Sequence, residues 1–502
     1  MNPNLFSMPY AVWLALLSFW PRSDPFRFWP AKLKPWCFPY YHWLNHRHLY
    51  DKFHLKPVQF PEHGIEQIKA LAKPGNHTLL VSNHVGYMDP HIYVELMFRH
   101  QFQFKWMAGI EPFEKGGGLH GWHIQGSGTF SLDRGVLDRR SLQYAQQVMD
   151  DGHYPLFIFP EGEADYTSDV LRPFSEGATR FALKTAEKYK ESSEPVHIVP
   201  LGVQYRFPHD ALPLLQETLQ TLLQEVSESR QEPNAHDLHS VQSVWAGVQT
   251  LAQADLRFME SQYPSYTASE NGSLEERLFA LRNHLFQTLC QEHDPTLQSA
   301  DINTEDLYKT KNRLRSLIAK KLYSARPAKI QQTQLFLEDI KGKGVVLPNW
   351  MMNKLEDYWI GIAYPDEPFE KRLKRLSDHL NTQLPYSLAG AQADAETRTR
   401  WQQQLNDCRR MKLLTLLAED LSRYASQEPS LEALDDVMVK LEILLFSRFA
   451  YRRNKTATVH VGEPIDVKAF VAAHESSTKK EQLLKLTQTV QQAVSQLSDS
   501  KL

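Results

Sequence analysis

The chain has 502 residues, 42% apolar and 23% charged, with a formal net charge of −3. Those are globular proportions with length for two or three domains, and they leave no basic surplus of the kind that nucleic-acid binding needs. Cys37, Cys290 and Cys408 stand far apart with no paired spacing, which argues against a disulfide framework and a zinc module and suits a reducing compartment.

Residues 1–57 read as a basic aromatic arm. Seven Lys/Arg in residues 1–56 stand against Asp24 and Asp51 alone, so the remainder of the chain is acidic. Residues 8–20, MPYAVWLALLSFW, form an uncharged run too short to span a bilayer, without the positive start and small-residue cleavage site of a secretory signal. Trp13, Trp20, Trp29, Trp36 and Trp43 are interleaved with Arg22, Arg27, Lys32, Lys34 and Arg47. Trp and Tyr favour the headgroup region, so the arm predicts contact with an anionic lipid surface, on the cytoplasmic face and peripheral or monotopic. The plain alternative is an arm packed on its own domain.

Over residues 58–207, short apolar runs alternate with helical patterns. Residues 78–82, TLLVS, have strand length, and 83–89 form a turn-like link containing Gly86. Pro90 then opens a short buried helix with Ile92, Val94, Leu96 and Met97. Further strands are expected at 102–107, 156–159 and 196–203, with helices at 141–149 and 177–189 and a stretch rich in glycine (Gly116, Gly117, Gly118, Gly121). This alternation predicts an α/β fold with a mixed, largely parallel sheet flanked by helices, in which ligands gather at the carboxyl ends of strands.

From 208 to 454 apolar residues keep helical spacing, as in Leu212, Leu215, Leu219, Leu222 and Val226, and in Leu274, Leu278, Leu281, Leu285 and Leu289. These stripes read as core faces of an all-α insertion rather than partner-binding zippers. Residues 455–502 return to strand chemistry in TATVHVGEPI (456–465) and close on a helix carrying Leu483, Leu486, Val490, Val494 and Leu497. The α/β pattern stops after Val203 and resumes at Thr456, so the final strand is expected to extend the sheet begun before the insertion, an excursion that loop-closure entropy tolerates.

The link after the first strand sets His84 and Asp89 five residues apart. On one helix they would not share a face, whereas across a strand-to-helix turn a carboxylate can hold an imidazole's tautomer and raise its basicity. Spacing alone is weak: with 21 His in the chain, about one such pair arises by chance. His46 and Asp51 repeat the spacing, preceding Asn included, without the strand and the proline-opened helix. Asp89 before Pro90 also suits an N-cap. Further along, GTFSLDR (128–134) brings Arg134 to the end of a short strand, where its fork suits phosphate, although a surface ion pair is the commoner use. IFPEGE (158–163) ends a strand in a turn with Glu161 and Gly162, and VPLGV (199–203) holds Pro200, which points to an edge or a bulge.

These four motifs in this order resemble the phospholipid/glycerol acyltransferases, typified by lysophosphatidic acid acyltransferase, over roughly residues 58–207. VHVGEPI (459–465) is similar to that family's final strand. The resemblance implies His84 as general base on the acceptor hydroxyl and Asp89 as its partner. It also implies that Arg134 binds acceptor phosphate, that Glu161 and Gly162 shape that site, and that Pro200 borders the acyl pocket. Order settles the decoy, since His84 and not His46 precedes Arg134 at a family-like distance. Two cationic groups of the family pattern are missing: Glu163 and Ala164 stand where Thr-Arg is usual, and a lysine common before the second motif is replaced near Gly109. Lys105, Arg139, Arg140 and Arg172 are the candidates to compensate. The variants are similar to a bacterial branch with a helical insertion. The expectation is acyl transfer from acyl-CoA or acyl carrier protein to a glycerolipid hydroxyl, with no metal and no cofactor. The alternatives are an acceptor without phosphate, or a non-catalytic membrane-bound scaffold.

Overall fold

A computed structural model describes residues 27–114, 119–168, 170–207, 211–230, 238–267, 272–297, 304–323, 327–448 and 455–498. The apolar run 8–20, with Trp13, Trp20 and Arg22, lies outside the described residues, as do Gly116, Gly117 and Gly118. Among the described residues the chain makes seven strands, mixed and mostly parallel, and many helices; between 207 and 455 the described residues hold helices and no strand. That is the α/β class with a large helical region.

The chain divides into two compact units, each formed from separate stretches. One comprises residues up to Pro35, Trp106–Tyr144 and Gln287–Arg409; the other comprises Trp36–Lys105, Ala145–Phe286 and the residues from Arg410 onward. These units do not follow the sequence segments 58–207 and 208–454.

In the second unit the central strand is β1 (His77–Ser82), whose six residues are all buried. Such a run is what a parallel strand covered on both faces requires. On one side β1 pairs in parallel with β4 (Leu156–Ile158), and on the other with β5 (Val196–Arg206). β6 (Thr456–Val461) pairs antiparallel with the far side of β5, and β7 (Ile465–Asp466) joins the same side. The helices Gly177–Lys188 and Lys479–Ser498 pack on these strands, with the hydroxyls of Thr179 and Thr487 meeting at 2.6 Å. The other unit carries β2 (Lys105–Gly109) and β3 (Thr129–Leu132), parallel with Gly109 opposite Leu132. Its helices Pro327–Gly342, Asn349–Trp359 and Phe369–Gln392 share an apolar core around Met352, Trp359 and Leu376.

Two local expectations need correction, and a third is narrowed to one of its alternatives. The strand expected at 102–107 lies at Lys105–Gly109, just after Phe104, whose ring stacks on Phe157 at 5.3 Å. Pro200 marks a bulge rather than an edge: β5 is paired on both sides, and between the pairs Leu201–Val461 and Ile198–Ile465 three residues of the neighbouring strand, 462–464, stand opposite only Val199 and Pro200. Its missing N–H falls where no ladder partner is needed, and Gly462, whose N–H donates to the Pro200 carbonyl at 2.9 Å, leaves room for the ring. Trp29 is buried, and its backbone N–H donates to Ser131 Oγ at 2.9 Å, so that part of the arm is a packing element.

Candidate active site

Two parallel neighbours set the site. β1 and β4 run side by side with Val81 opposite Ile158, so the turns leaving them are adjacent. The first turn is pinned at its start by Asn83, whose Oδ1 accepts from Val203 N (2.8 Å) and whose Nδ2 donates to Val203 O (3.0 Å), extending the β1–β5 pairing by one side chain. His84 comes next. Its Nδ1–H donates to Asp89 Oδ2 at 2.8 Å, since an ionised carboxylate can only accept. The same oxygen accepts from Gly86 N at 2.8 Å, and Asp89 Oδ1 accepts from the Tyr205 hydroxyl. Asp89 is fully buried at the start of the helix Asp89–His100 and makes no capping bond, so the N-cap alternative is set aside. Three donors on one buried carboxylate fix its orientation, and through it the tautomer of His84. The imidazole stacks on Phe159, 4.2 Å between ring centres and 20° apart, and keeps a partly exposed edge. With Nδ1 committed, Nε2 carries the lone pair. Tyr205 is held well above the usual tyrosine range, by burial first and then by the Asp89 charge, so it remains a hydrogen-bond donor.

The second turn runs from Phe159 to Gly162 and closes through Gly162 N–H on Phe159 O at 3.0 Å. Gly162 has φ +83°, a conformation side chains rarely adopt. The turn directs Glu161 to His84, where Oε1 accepts from the His84 backbone N at 2.6 Å while Oε2 accepts from Arg172 N at 2.9 Å. Glu161 is thus a brace on the histidine turn rather than a solvent-facing anion. Burial, partly offset by those two N–H groups, pushes its carboxyl up to about 7. The folded protein therefore takes up a proton near neutrality that the unfolded chain takes up only in the ordinary carboxylate range. This group's contribution to stability is full at low pH and is lost as pH rises through about 7, amounting to about 3 kcal/mol for a shift of this size. Glu161→Gln should remove that dependence: in urea titrations at pH 5 and 8, the stability of wild type relative to the variant should fall at the higher pH. An unchanged difference would contradict it.

The loop after Gly162 returns to the first turn through Tyr166 N, which donates to Val85 O at 2.8 Å. It is held from outside by residues that carry no local motif. The buried Lys412 lies 3.0 Å from Glu163 Oε2 and 2.8 Å from Asp165 Oδ1, and donates to the Ala164 carbonyl at 2.7 Å. Arg172 pairs with Asp165 (2.9 Å) and Glu419 (2.5 Å). Ser168 N donates to Asp436, and Lys440 donates to Thr167 Oγ1 at 3.1 Å. Lys412 and Glu419 belong to the helix Ala395–Arg423, Asp436 and Lys440 to Leu431–Phe446.

His84, Asp89, Glu161, Gly162 and Pro200 thus share one unit. Arg134 belongs to the other, where it follows β3 and its Nη2 lies 3.1 Å from Glu111 Oε2. The decoy is built differently: the His46 ring meets Tyr50 edge-on at 4.6 Å, and Asp51 pairs with Arg47 at 3.4 Å. Tyr205, Phe159 as a stacking partner, Lys412 and Glu419 are absent from the sequence reading. Tyr205 shares a strand face with Val203, and only a fixed sheet register identifies it. Among the described residues, no group of three or more His, Cys, Asp or Glu is placed to hold a metal ion.

No curated protein and no solved structure matches the chain. A family model described as Acyltransferase matches residues 59–204, which span β1 to β5 with both turns around His84. That stretch, less than a third of the chain, is similar to the acyltransferase family.

Proposed function

We propose that this protein moves an acyl group from acyl-CoA or acyl carrier protein to a hydroxyl of a glycerolipid, with His84 as general base. The observation that carries the reading is the commitment of His84 Nδ1 to a triply held Asp89, which leaves Nε2 as an oriented acceptor. Nε2 takes the acceptor's hydroxyl proton while that oxygen attacks the thioester carbonyl carbon. The tetrahedral adduct collapses with cleavage of the C–S bond, and the imidazolium returns the proton to the leaving thiolate. The scheme needs neither a metal nor a covalent enzyme intermediate. The test is incubation with a lipid extract and radiolabelled acyl thioesters. A labelled ester lipid is expected; labelled free acid alone would contradict the reading.

A lipid acceptor calls for a lipid surface. Trp36, Tyr40 and Trp43 are 79%, 52% and 53% exposed. Spaced four and three residues apart, they share one face leading into and along the helix Phe38–His46. The Arg47 guanidinium lies over Trp43 at 5.2 Å. Exposed amphipathic rings beside a cation suit the headgroup layer, and among the described residues no helix is long and apolar enough to cross a membrane. These rings support a reading of peripheral docking on a lipid surface, which we place on the cytoplasmic face as part of the proposal. Replacing Trp36, Tyr40 and Trp43 together by Ser should weaken flotation with anionic liposomes at least tenfold and slow transfer to bilayer acceptor, while transfer to a detergent-dispersed acceptor persists. Undiminished flotation would contradict it.

A second reading, an acceptor without phosphate, is favoured by one observation. Arg134 already faces the carboxylate of Glu111.

A further inference from the structure

In the unit that holds β2 and β3, segments of three helices bring together side chains that acyl transfer at His84 leaves unused. His293 closes the helix Leu274–His293, Lys321 lies in the last turn of Thr304–Tyr323, and Gln404 lies on Ala395–Arg423. The His293 ring is fully buried. Its Nε2–H donates to Gln404 Oε1 at 2.8 Å, because an amide oxygen can only accept. The amide is held in that orientation by its own Nε2, which donates to Glu292 Oε2 at 2.7 Å. Glu292 is in turn paired with Arg400 at 3.3 Å. Nδ1 of His293 therefore carries the lone pair, and it accepts from Lys321 Nζ at 2.9 Å. The order carboxylate, amide, imidazole, amine is that of a nucleophile beside a base whose tautomer a third group fixes.

Lys321 is the unusual member. Where Lys412 and Lys440 meet carboxylates, it meets an imidazole and lies over the Trp401 ring at 5.6 Å. Burial holds both Lys321 and His293 below their usual ranges, the lysine against the pull of Glu292. Each is thus closer to the neutral form that a nucleophile and its base require. Lys321 is half-buried rather than sealed, which leaves it accessible. We propose that Lys321 is an acyl-acceptor site, an amine that His293 activates to take an acyl group from a thioester. The inference rests on the acyl-transfer reading only for the choice of electrophile. His293 Nδ1 takes one proton of the ammonium, the freed Nζ lone pair attacks the thioester carbonyl carbon, and the C–S bond breaks. The imidazolium returns its proton to the leaving thiolate while a second proton passes from Nζ to water, which leaves a secondary amide on Lys321. An amide outlasts a thioester in water, so the site takes one acyl group per chain and is a modification rather than a second turnover.

The test incubates the full-length protein with acetyl-CoA labelled in the acetyl group and follows each lysine by tryptic peptide mass. Ester-lipid formation from long-chain thioesters is measured on the same preparation. Lys321 should be acylated at least about tenfold faster than Lys479, which is 82% exposed, because help from a general base outweighs partial burial. A half-buried lysine in a merely structural contact would be slower than that exposed one. His293→Gln should bring Lys321 down to the Lys479 rate or below, with Lys479 itself unchanged. The wild-type comparison decides the matter even if His293→Gln fails to fold. Lys321 no faster than Lys479 in wild type, or acylation indifferent to His293, would overturn the proposal. An adduct on Lys321 without ester lipid would support the site while sinking the proposed reaction, and ester lipid with Lys321 unmodified would overturn the site alone.

Discussion

The His84→Ala protein is expected to fold as wild type does and to lose acyl transfer by about 10²–10⁴-fold, the usual cost of removing a general base. The imidazole sits at the edge of a turn whose backbone is held independently, by Asn83 on Val203 and by Glu161 on the His84 N–H, so deleting the ring leaves those bonds in place. Asp89→Asn should match it in activity but not in stability. The buried carboxylate accepts from the Nδ1 of His84, the N–H of Gly86 and the hydroxyl of Tyr205, and an amide must turn its NH2 toward one of these donors. His46→Ala should be nearly silent, because that ring packs on Tyr50 away from any carboxylate partner of its motif. Transfer rates and thermal melts of the three variants check this. Near-normal turnover in His84→Ala, or loss in His46→Ala, would contradict the assignment.

Lys412→Met is the second large effect expected, and it falls on stability first. Lys412 is buried between Glu163 and Asp165, themselves largely covered, and its pKa is raised by those two charges against the effect of burial. Removing the cation takes a charge partner from two largely buried carboxylates, of which Asp165 keeps Arg172, and breaking a buried pair typically costs about 3–5 kcal/mol. The effect should reach the histidine, because the disturbed loop carries Tyr166, bonded to Val85, and leads to Arg172, whose N–H holds Glu161. A urea midpoint lowered to match, a reduced transfer rate, and partial recovery of stability when Glu163→Gln and Asp165→Asn are added would support the account. Unaltered stability in Lys412→Met would contradict it.

This cluster also marks the reach of sequence reasoning. β1, the proline-opened helix, and the turns at His84 and Glu161 are legible because each is a short run whose hydrophobic pattern and turn residues are contiguous. Their adjacency was legible only through the resemblance, since the pairing of β1 with β4 joins residues far apart in the chain. The lysine and glutamate of the helix Ala395–Arg423 were not legible at all. A charged residue on a helix ordinarily reads as solvated, and what buries Lys412 is a loop more than two hundred residues earlier. Lys321 has the same history on Thr304–Tyr323, where it reads as a surface cation until His293 and Trp401 are set against it. The glutamate in FPEGE likewise reads as a ligand-site anion, yet its two oxygens are spent on backbone N–H groups. Pro200 leaves edge and bulge open in the sequence, because one strand's composition does not show that its neighbour carries the extra residue.

The most direct test of the central claim measures both products of one reaction. Purified protein is mixed with a radiolabelled acyl thioester and lysophosphatidate in anionic vesicles, and free thiol and labelled diacyl lipid are followed together. Thiol and ester lipid rising in equal amounts with wild type, and both falling by two orders of magnitude or more in His84→Ala, is the predicted result. Thiol released without ester lipid, or ester formation indifferent to His84, would contradict acyl transfer through this histidine.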